Sequence, residues 1–169
     1  MCSHVDTAML EATLCFLIEG DPPEKILLGH KKVGFGRGKY GGVGGKIVDG
    51  ETVVHAALRE LEEETGVCAQ EASLVRMAHL TFLFPYKLEW SQVVHVFVTR
   101  EWVGEAVESR EIRPAWFPVS EIPFGQMWAD CRHWLPPVLA GQPTRARFTF
   151  RADNETIDEM EVGVWDGQI

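Results

Sequence analysis

The sequence predicts an α/β (α+β) domain in which a mixed β-sheet lies between helices. Short apolar runs rich in β-branched and aromatic residues recur along the chain and are broken by turn residues. Two longer stretches, residues 52–65 and part of 120–139, have helical composition. Strands that alternate with helices bury both faces of a sheet, which gives a layered sandwich. The 169 residues, 46% of them hydrophobic, form one domain (1–169) with a sizeable core.

Residues 12–18, ATLCFLI, read as the first strand. Asp21-Pro22-Pro23 is a turn, and Lys25 to His30 a second short strand. Residues 31–45 hold seven glycines, too many for a regular element and suited to close approach of backbone to a ligand. Asp49-Gly50 is a turn dipeptide. The first helix follows, with Thr52 as N-cap; the residue three further on is His55, so there is no capping box. Gly66 suits the C′ position just past its end. Leu74 to Leu83 and Val93 to Thr99 read as strands, and Val107 to Arg113 as an acid-rich loop before Trp116-Phe117. Ser120 to Leu139 mixes aromatics with prolines and contains one helix. Arg147 to Phe150 and Thr156 to Val162 form a closing hairpin around Ala152-Asp153-Asn154.

The first helix is the most informative element. At roughly 100° per residue, Glu60, Glu63 and Glu64 fall within an arc of about 100°. Val54, Leu58 and Leu61 share a different, buriable arc, and His55 and Glu62 point to water. Like charges at i,i+4 destabilise a helix by roughly 0.2–0.5 kcal/mol per pair. A hard divalent cation removes that penalty, and Mg²⁺ favours a few carboxylates together with substrate phosphates. Taken alone, the glutamate run reads as a solvated acidic face. Gly45, Glu51, Arg59 and Gly66 at their offsets shift the reading to a metal cage, with Arg59 four residues before Glu63 and able to pin it.

Residues 45–67, GKIVDGETVVHAALRELEEETGV, resemble the Nudix box, G-x5-E-x7-R-E-U-x-E-E-x-G-U with U aliphatic. Every specified position is filled: Gly45, Glu51, Arg59, Glu60, Leu61, Glu63, Glu64, Gly66 and Val67. The flanking stretches LLGHKKVGFGRGKYGGVGGKIVDGET, HVFV, VESREIRPAWF and IPFGQMWADCRHWLP resemble the eukaryotic MutT-homologue branch, which hydrolyses oxidised purine nucleoside triphosphates. The resemblance implies the Nudix fold and hydrolysis of a nucleoside triphosphate to monophosphate and pyrophosphate, with Mg²⁺ or Mn²⁺ as cofactor. It implies metal ligands at Glu60, Glu63, Glu64 and Glu111 and at the Gly44 carbonyl, with Arg59 beside them. It places Lys31 on the phosphates, Gly44, Gly45 and Lys46 along the substrate, and Thr13, Phe35, Gly41, Phe82, Trp128, Asp130 and Trp134 around the base. The general base stays open among Glu60, Glu63 and Glu111.

Several of these residues also have plainer readings. Glu111 alone is a loop carboxylate paired with Arg110 or Arg113, and Lys31 a surface lysine beside Lys32. Asp130 suits a helix N-cap, and most of the six tryptophans, all from Trp90 onward, suit a core. Two positions depart from the branch's pattern: Gly41 stands where an asparagine reads the purine edge, and Cys131 where a second aspartate follows Asp130. Neither supplies a good hydrogen-bonding side chain. These departures keep two alternatives open: hydrolysis of another nucleoside diphosphate derivative such as a dinucleoside polyphosphate or ADP-ribose, and a non-catalytic nucleotide-binding domain.

The net charge of −9 argues against nucleic acid as a partner. No apolar run is long enough to span a bilayer. MCSHVDTAML is not a signal peptide, so the expectation is a cytoplasmic monomer acting on a small nucleotide, with nuclear or mitochondrial fractions compatible. Cys2, Cys15, Cys68 and Cys131 lack metal or disulfide spacing.

Overall fold

The computed structural model describes residues 9–168; Cys2 and the reading of the opening segment lie outside them. The strands are β1 (Leu10–Glu19), β2 (Lys25–Lys31), β3 (Tyr40–Gly41), β4 (Val75–Leu83), β5 (Gln92–Thr99), β6 (Ile112–Pro118), β7 (Thr144–Phe150) and β8 (Ile157–Val164). The helices are α1 (Val53–Thr65) and α2 (Cys131–Leu139), with short 3₁₀ turns between elements. The eight strands form one mixed sheet in the order β3-β2-β1-β5-β4-β7-β8, with β6 on the far side of β2. β1/β5 and β4/β7 are parallel and the other pairs antiparallel.

Alternation along β1 divides two cores. Phe16 and Ile18 face the layer that contains Trp134, Leu135 and Val138 of α2. Cys15 and Leu17 face the layer that contains Ala57 and Leu61 of α1. Each helix therefore covers one face of the sheet, as expected for strands buried on both sides.

Thr52 caps α1, its Oγ accepting from His55 N at 3.2 Å, and Gly66 ends it at φ 78° with its N–H on Glu62 O at 2.8 Å. The expected apolar arc is only partly realised. Leu61 is fully buried, but Val54 and Leu58 are half-buried, and Ala56, Ala57, Glu60 and Glu64 take the interior positions. The helix thus turns two carboxylates inward.

Two strands escape the sequence reading. Strand β6 contains Pro114 and Pro118, which speak against a strand because proline cannot donate to a ladder. Among the described residues it pairs only with β2, Gly29 opposite Pro114 and Lys25 opposite Pro118, and its other edge, unpaired among them, tolerates the missing donors. The other is two-residue β3, inside the glycine-rich stretch.

The glycine-rich stretch shapes the site. β1 and β2 share only two register pairs, Ile18↔Ile26 and Glu19↔Lys25. Where β2 leaves β1, residues 42–46 run alongside instead, bridging at Cys15↔Val43 and Ala12↔Lys46. The approach needs glycine: a Cβ at Gly44 would lie 1.7 Å from Thr13 O.

Cys15, Cys68 and Cys131 are free thiols. Among the described residues no helix is long and apolar enough to cross a membrane.

Candidate active site

A cavity of about 790 Å³ opens between α1, the glycine-rich stretch, β4 and the start of α2. Every residue named above from the sequence for metal or substrate lines it, except Arg59. One end is acidic and the other aromatic.

At the acidic end, carboxylate oxygens of Glu60, Glu64 and Glu111 lie within 4.8 Å of one another. Glu60 and Glu64 come from successive turns of α1, and Glu111 from the loop entering β6. That loop is held by Lys32 N–H on Glu111 O at 2.8 Å and Ile112 N–H on Ser109 Oγ at 3.3 Å. Arg113 and Lys32 both pair with Glu108, at 3.2 and 3.0 Å, which leaves Glu111 to the cluster. Lys31 Nζ lies 3.9 Å from Glu64 and 4.0 Å from Glu111, so it belongs to the site and not to the surface beside Lys32.

Burial, reinforced by Glu111, pushes the Glu64 carboxyl up to about 8, and burial also raises Glu60. Glu64 Oε1 is buried with no hydrogen-bond partner. Crowded, desolvated oxygens with an orphan acceptor suit a hard divalent cation that takes oxygen ligands. The three helical acids do not converge as the helical wheel suggested. Glu63 lines the cavity but is exposed, its carboxylate held by Arg59 at 3.1 Å, and Glu111 completes the cluster as the resemblance implies.

Arg59 stands behind the cavity wall and ties its parts together. Its guanidinium forks onto Glu51, with Nη2–Oε1 at 2.6 Å and Nε–Oε2 at 2.9 Å. It also donates to Glu60 at 3.0 Å and to Lys46 O at 3.1 Å. Glu51 accepts from Val48 N at 3.0 Å, and Arg59 holds its carboxyl down at about 2. Gly45 lies under the Glu60 carboxylate, where a Cβ would sit 2.6 Å from Cδ.

At the aromatic end, Trp128 stacks on Phe35, with centroids 5.1 Å apart and planes 20° apart. Phe82 lines the same end, with Phe84, Trp90 and Phe150 beside it. Asp130 is 3% exposed and accepts from Trp134 Nε1 at 2.7 Å. Burial raises its carboxyl to about 6 against the pull of that indole. Asp130 occupies the N-cap position of α2, but its side chain makes no capping bond. Trp134 is 1% exposed, so it serves as the floor that orients Asp130. The Thr13 hydroxyl is buried and unpartnered. At Gly41 a Cβ would meet nothing within 4 Å, and Cys131 lies beside Asp130 with its Sγ 3.9 Å from Oδ2.

Sequence reasoning missed Lys39, Phe84, Trp90 and Phe150. Phe84 was accessible to it, since residues two apart near the end of a strand share a face with Phe82. Lys39 carried no signal, because its position depends on how the glycine-rich stretch folds.

Known proteins agree with this geometry. The NUDIX domain profile matches residues 10–138. The chain is 39% identical over 157 residues to an oxidized purine nucleoside triphosphate hydrolase of Danio rerio, covering 90% of this chain and 99% of that one. It is 39% identical over 135 residues to the protein of the same name from Mus musculus, covering 80% and 84%. Among solved structures, a MutT protein from Bacillus halodurans superposes with a TM-score of 0.78 at 21% identity, over 91% of this chain and 97% of that one. With the profile matched over residues 10–138 and whole relatives aligned at 39% identity, this chain belongs to the NUDIX domain family.

Proposed function

We propose that the protein hydrolyses oxidised purine nucleoside triphosphates to the monophosphate and pyrophosphate, and so clears damaged nucleotides from the precursor pool. The observation that carries the reading is the pairing, in one cavity, of a three-carboxylate cluster with an aromatic slot closed by a buried carboxyl. The relatives named above supply the substrate class.

Glu60, Glu64 and Glu111, with the Gly44 carbonyl, would hold Mg²⁺, or Mn²⁺ in its place. When bound, such a cation would supply positive charge to the phosphate oxygens. Lys31 contributes a compact positive charge to the same oxygens. Arg59, anchored on Glu51, donates directly to Glu60 and so sets that carboxylate before substrate arrives. One carboxylate of Glu60, Glu63 and Glu111 accepts the proton of the attacking water. The base stacks in the Trp128 slot. Asp130, its midpoint raised by burial to about 6, accepts a hydrogen bond from the base edge when ionised and donates one when protonated. A cytoplasmic monomer acting on free nucleotide completes the reading.

The test is the product set. With Mg²⁺, 8-oxo-dGTP and 2-hydroxy-dATP should each yield monophosphate and pyrophosphate. Orthophosphate as the first product, or no turnover of either, would overturn the assignment. Gly41 and Cys131 favour one second reading, another nucleoside diphosphate derivative such as ADP-ribose or a dinucleoside polyphosphate, and the same assay decides it.

A further inference from the structure

The cavity is lined by three cations, Lys31, Lys39 and Lys46. Lys31 faces the carboxylate cluster, and Lys46 adjoins Gly45 and the Arg59 network. Lys39 is at the other end: its Nζ lies 4.9 Å from the centroid of the Trp128 ring and 3.0 Å from Glu155 Oε2. Both partners have anchored backbones. Lys39 donates its N–H to Gly36 O at 3.0 Å, and its carbonyl accepts from Lys31 N at 2.9 Å. Glu155 sits in the turn between β7 and β8, where Asp153 Oδ1 accepts from Glu155 N at 3.0 Å and from Thr156 N at 2.8 Å.

Two of the side-chain donors at this end are committed. Trp134 Nε1 is held by Asp130 at 2.7 Å, and Gln92 Nε2 by Trp90 O at 3.1 Å. Gly41 has no side chain, and the Cys131 thiol, a weak donor, faces Asp130. Asp130 donates only while protonated, and the buried Thr13 hydroxyl, without a partner among the described residues, is a neutral donor, which leaves Lys39 as the charged donor at this end. An ammonium has three hydrogens, and Glu155 engages one side of it. Oxidised purines altered at C8 or C2 carry an additional exocyclic oxygen that can accept a hydrogen bond, and the C8-oxidised base also gains an N7–H.

We infer that Lys39, held at the slot by Glu155, reads that additional oxygen of the base and is a specificity-determining residue of this enzyme. The inference rests on the proposed oxidised-purine activity. It also gives the β7–β8 turn, distant from the carboxylates in sequence, a part in substrate choice, with Glu155 as a positioning residue.

The test compares kcat/KM for 8-oxo-dGTP against dGTP, and for 2-hydroxy-dATP against dATP, in wild type, Lys39→Met, Lys39→Arg, Glu155→Gln and Lys87→Met. Lys87 lies 4.1 Å over Trp90 outside the cavity lining and serves as control. A hydrogen bond from a charged donor separates ligands by between about tenfold and a hundredfold. Lys39→Met should therefore lower the oxidised-to-parent ratio at least tenfold, through KM of the oxidised nucleotide. Lys39→Arg should keep most of the ratio, Glu155→Gln should lose part of it, and Lys87→Met should leave it unchanged. Binding of 8-oxo-dGMP and dGMP without metal, followed by tryptophan fluorescence, should show the same loss without turnover. A Lys39→Met ratio within twofold of a selective wild type overturns the role of Lys39 alone. A wild type with no preference overturns the oxidised-purine reading as well, and the wild-type arm shows this directly.

Discussion

Asp130→Asn should stabilise the protein at alkaline pH and leave it unchanged in acid. The carboxyl is buried, and its midpoint lies near 6 instead of the ordinary 3.8. A native state that binds its proton more tightly than the unfolded chain is favoured most below the unfolded midpoint. It loses that advantage as pH rises from about 4 through about 6. The gap corresponds to about 3 kcal/mol, fully expressed above pH 7 as the cost of a buried carboxylate. Asparagine retains an oxygen to accept from Trp134 Nε1, now held at 2.7 Å, and carries no charge. For a chain of this size, about 2–3 kcal/mol shifts the midpoint by roughly 4–12 °C. Thermal or urea unfolding of both proteins at pH 4, 6 and 8 measures the effect. The variant should gain stability at pH 8, less at pH 6, and little or none at pH 4. A difference independent of pH, or a variant less stable at pH 8, would refute the reasoning.

Other consequences follow from the same geometry. Gly44→Ala and Gly45→Ala should separate stability from activity. The first drives a Cβ to 1.7 Å from the Thr13 backbone oxygen and should cost about 1–3 kcal/mol or more; the second meets the flexible end of Glu60, so it should fold normally yet lose turnover. Paired urea melts and steady-state rates distinguish them. Arg59→Lys cannot reproduce the two-pronged contact with Glu51 and should lower kcat more than tenfold, with a circular dichroism spectrum close to wild type. Mg²⁺ should raise the melting temperature of the wild type, and chelation should abolish both the shift and turnover. Glu64→Gln should remove the shift; a full shift in that variant would place the cation elsewhere.

Local chemistry made part of this structure legible. Thr52 and Gly66 act within one turn of their own positions, so the bounds of α1 could be read from the sequence. The Arg59 fork onto Glu51 also follows from a fixed offset, once loop and helix are recognised as a unit. Strand β6 was hidden because Pro114 and Pro118 oppose a strand locally, and only its position beyond β2 makes them tolerable. Glu111 joins Glu60 and Glu64 as the resemblance implies, while Glu63 stands outside that cluster because the helical arc gives directions but not which direction faces the sheet. Asp130 has the residue type and position of an N-cap, yet it turns to Trp134, a partner defined by the burial of α2. Lys39 and Glu155 are more than a hundred residues apart, and no local pattern in the sequence joins them.

The central claim is that this cavity joins metal-assisted cleavage to recognition of a damaged base. Its most direct measurement is the ratio of kcat/KM for each oxidised nucleotide to that of its parent, with Mg²⁺ and pyrophosphate release as the signal. The account predicts a ratio of at least tenfold for 8-oxo-dGTP over dGTP, or for 2-hydroxy-dATP over dATP. Ratios near one for both pairs would contradict it and leave a hydrolase whose aromatic slot serves another nucleotide.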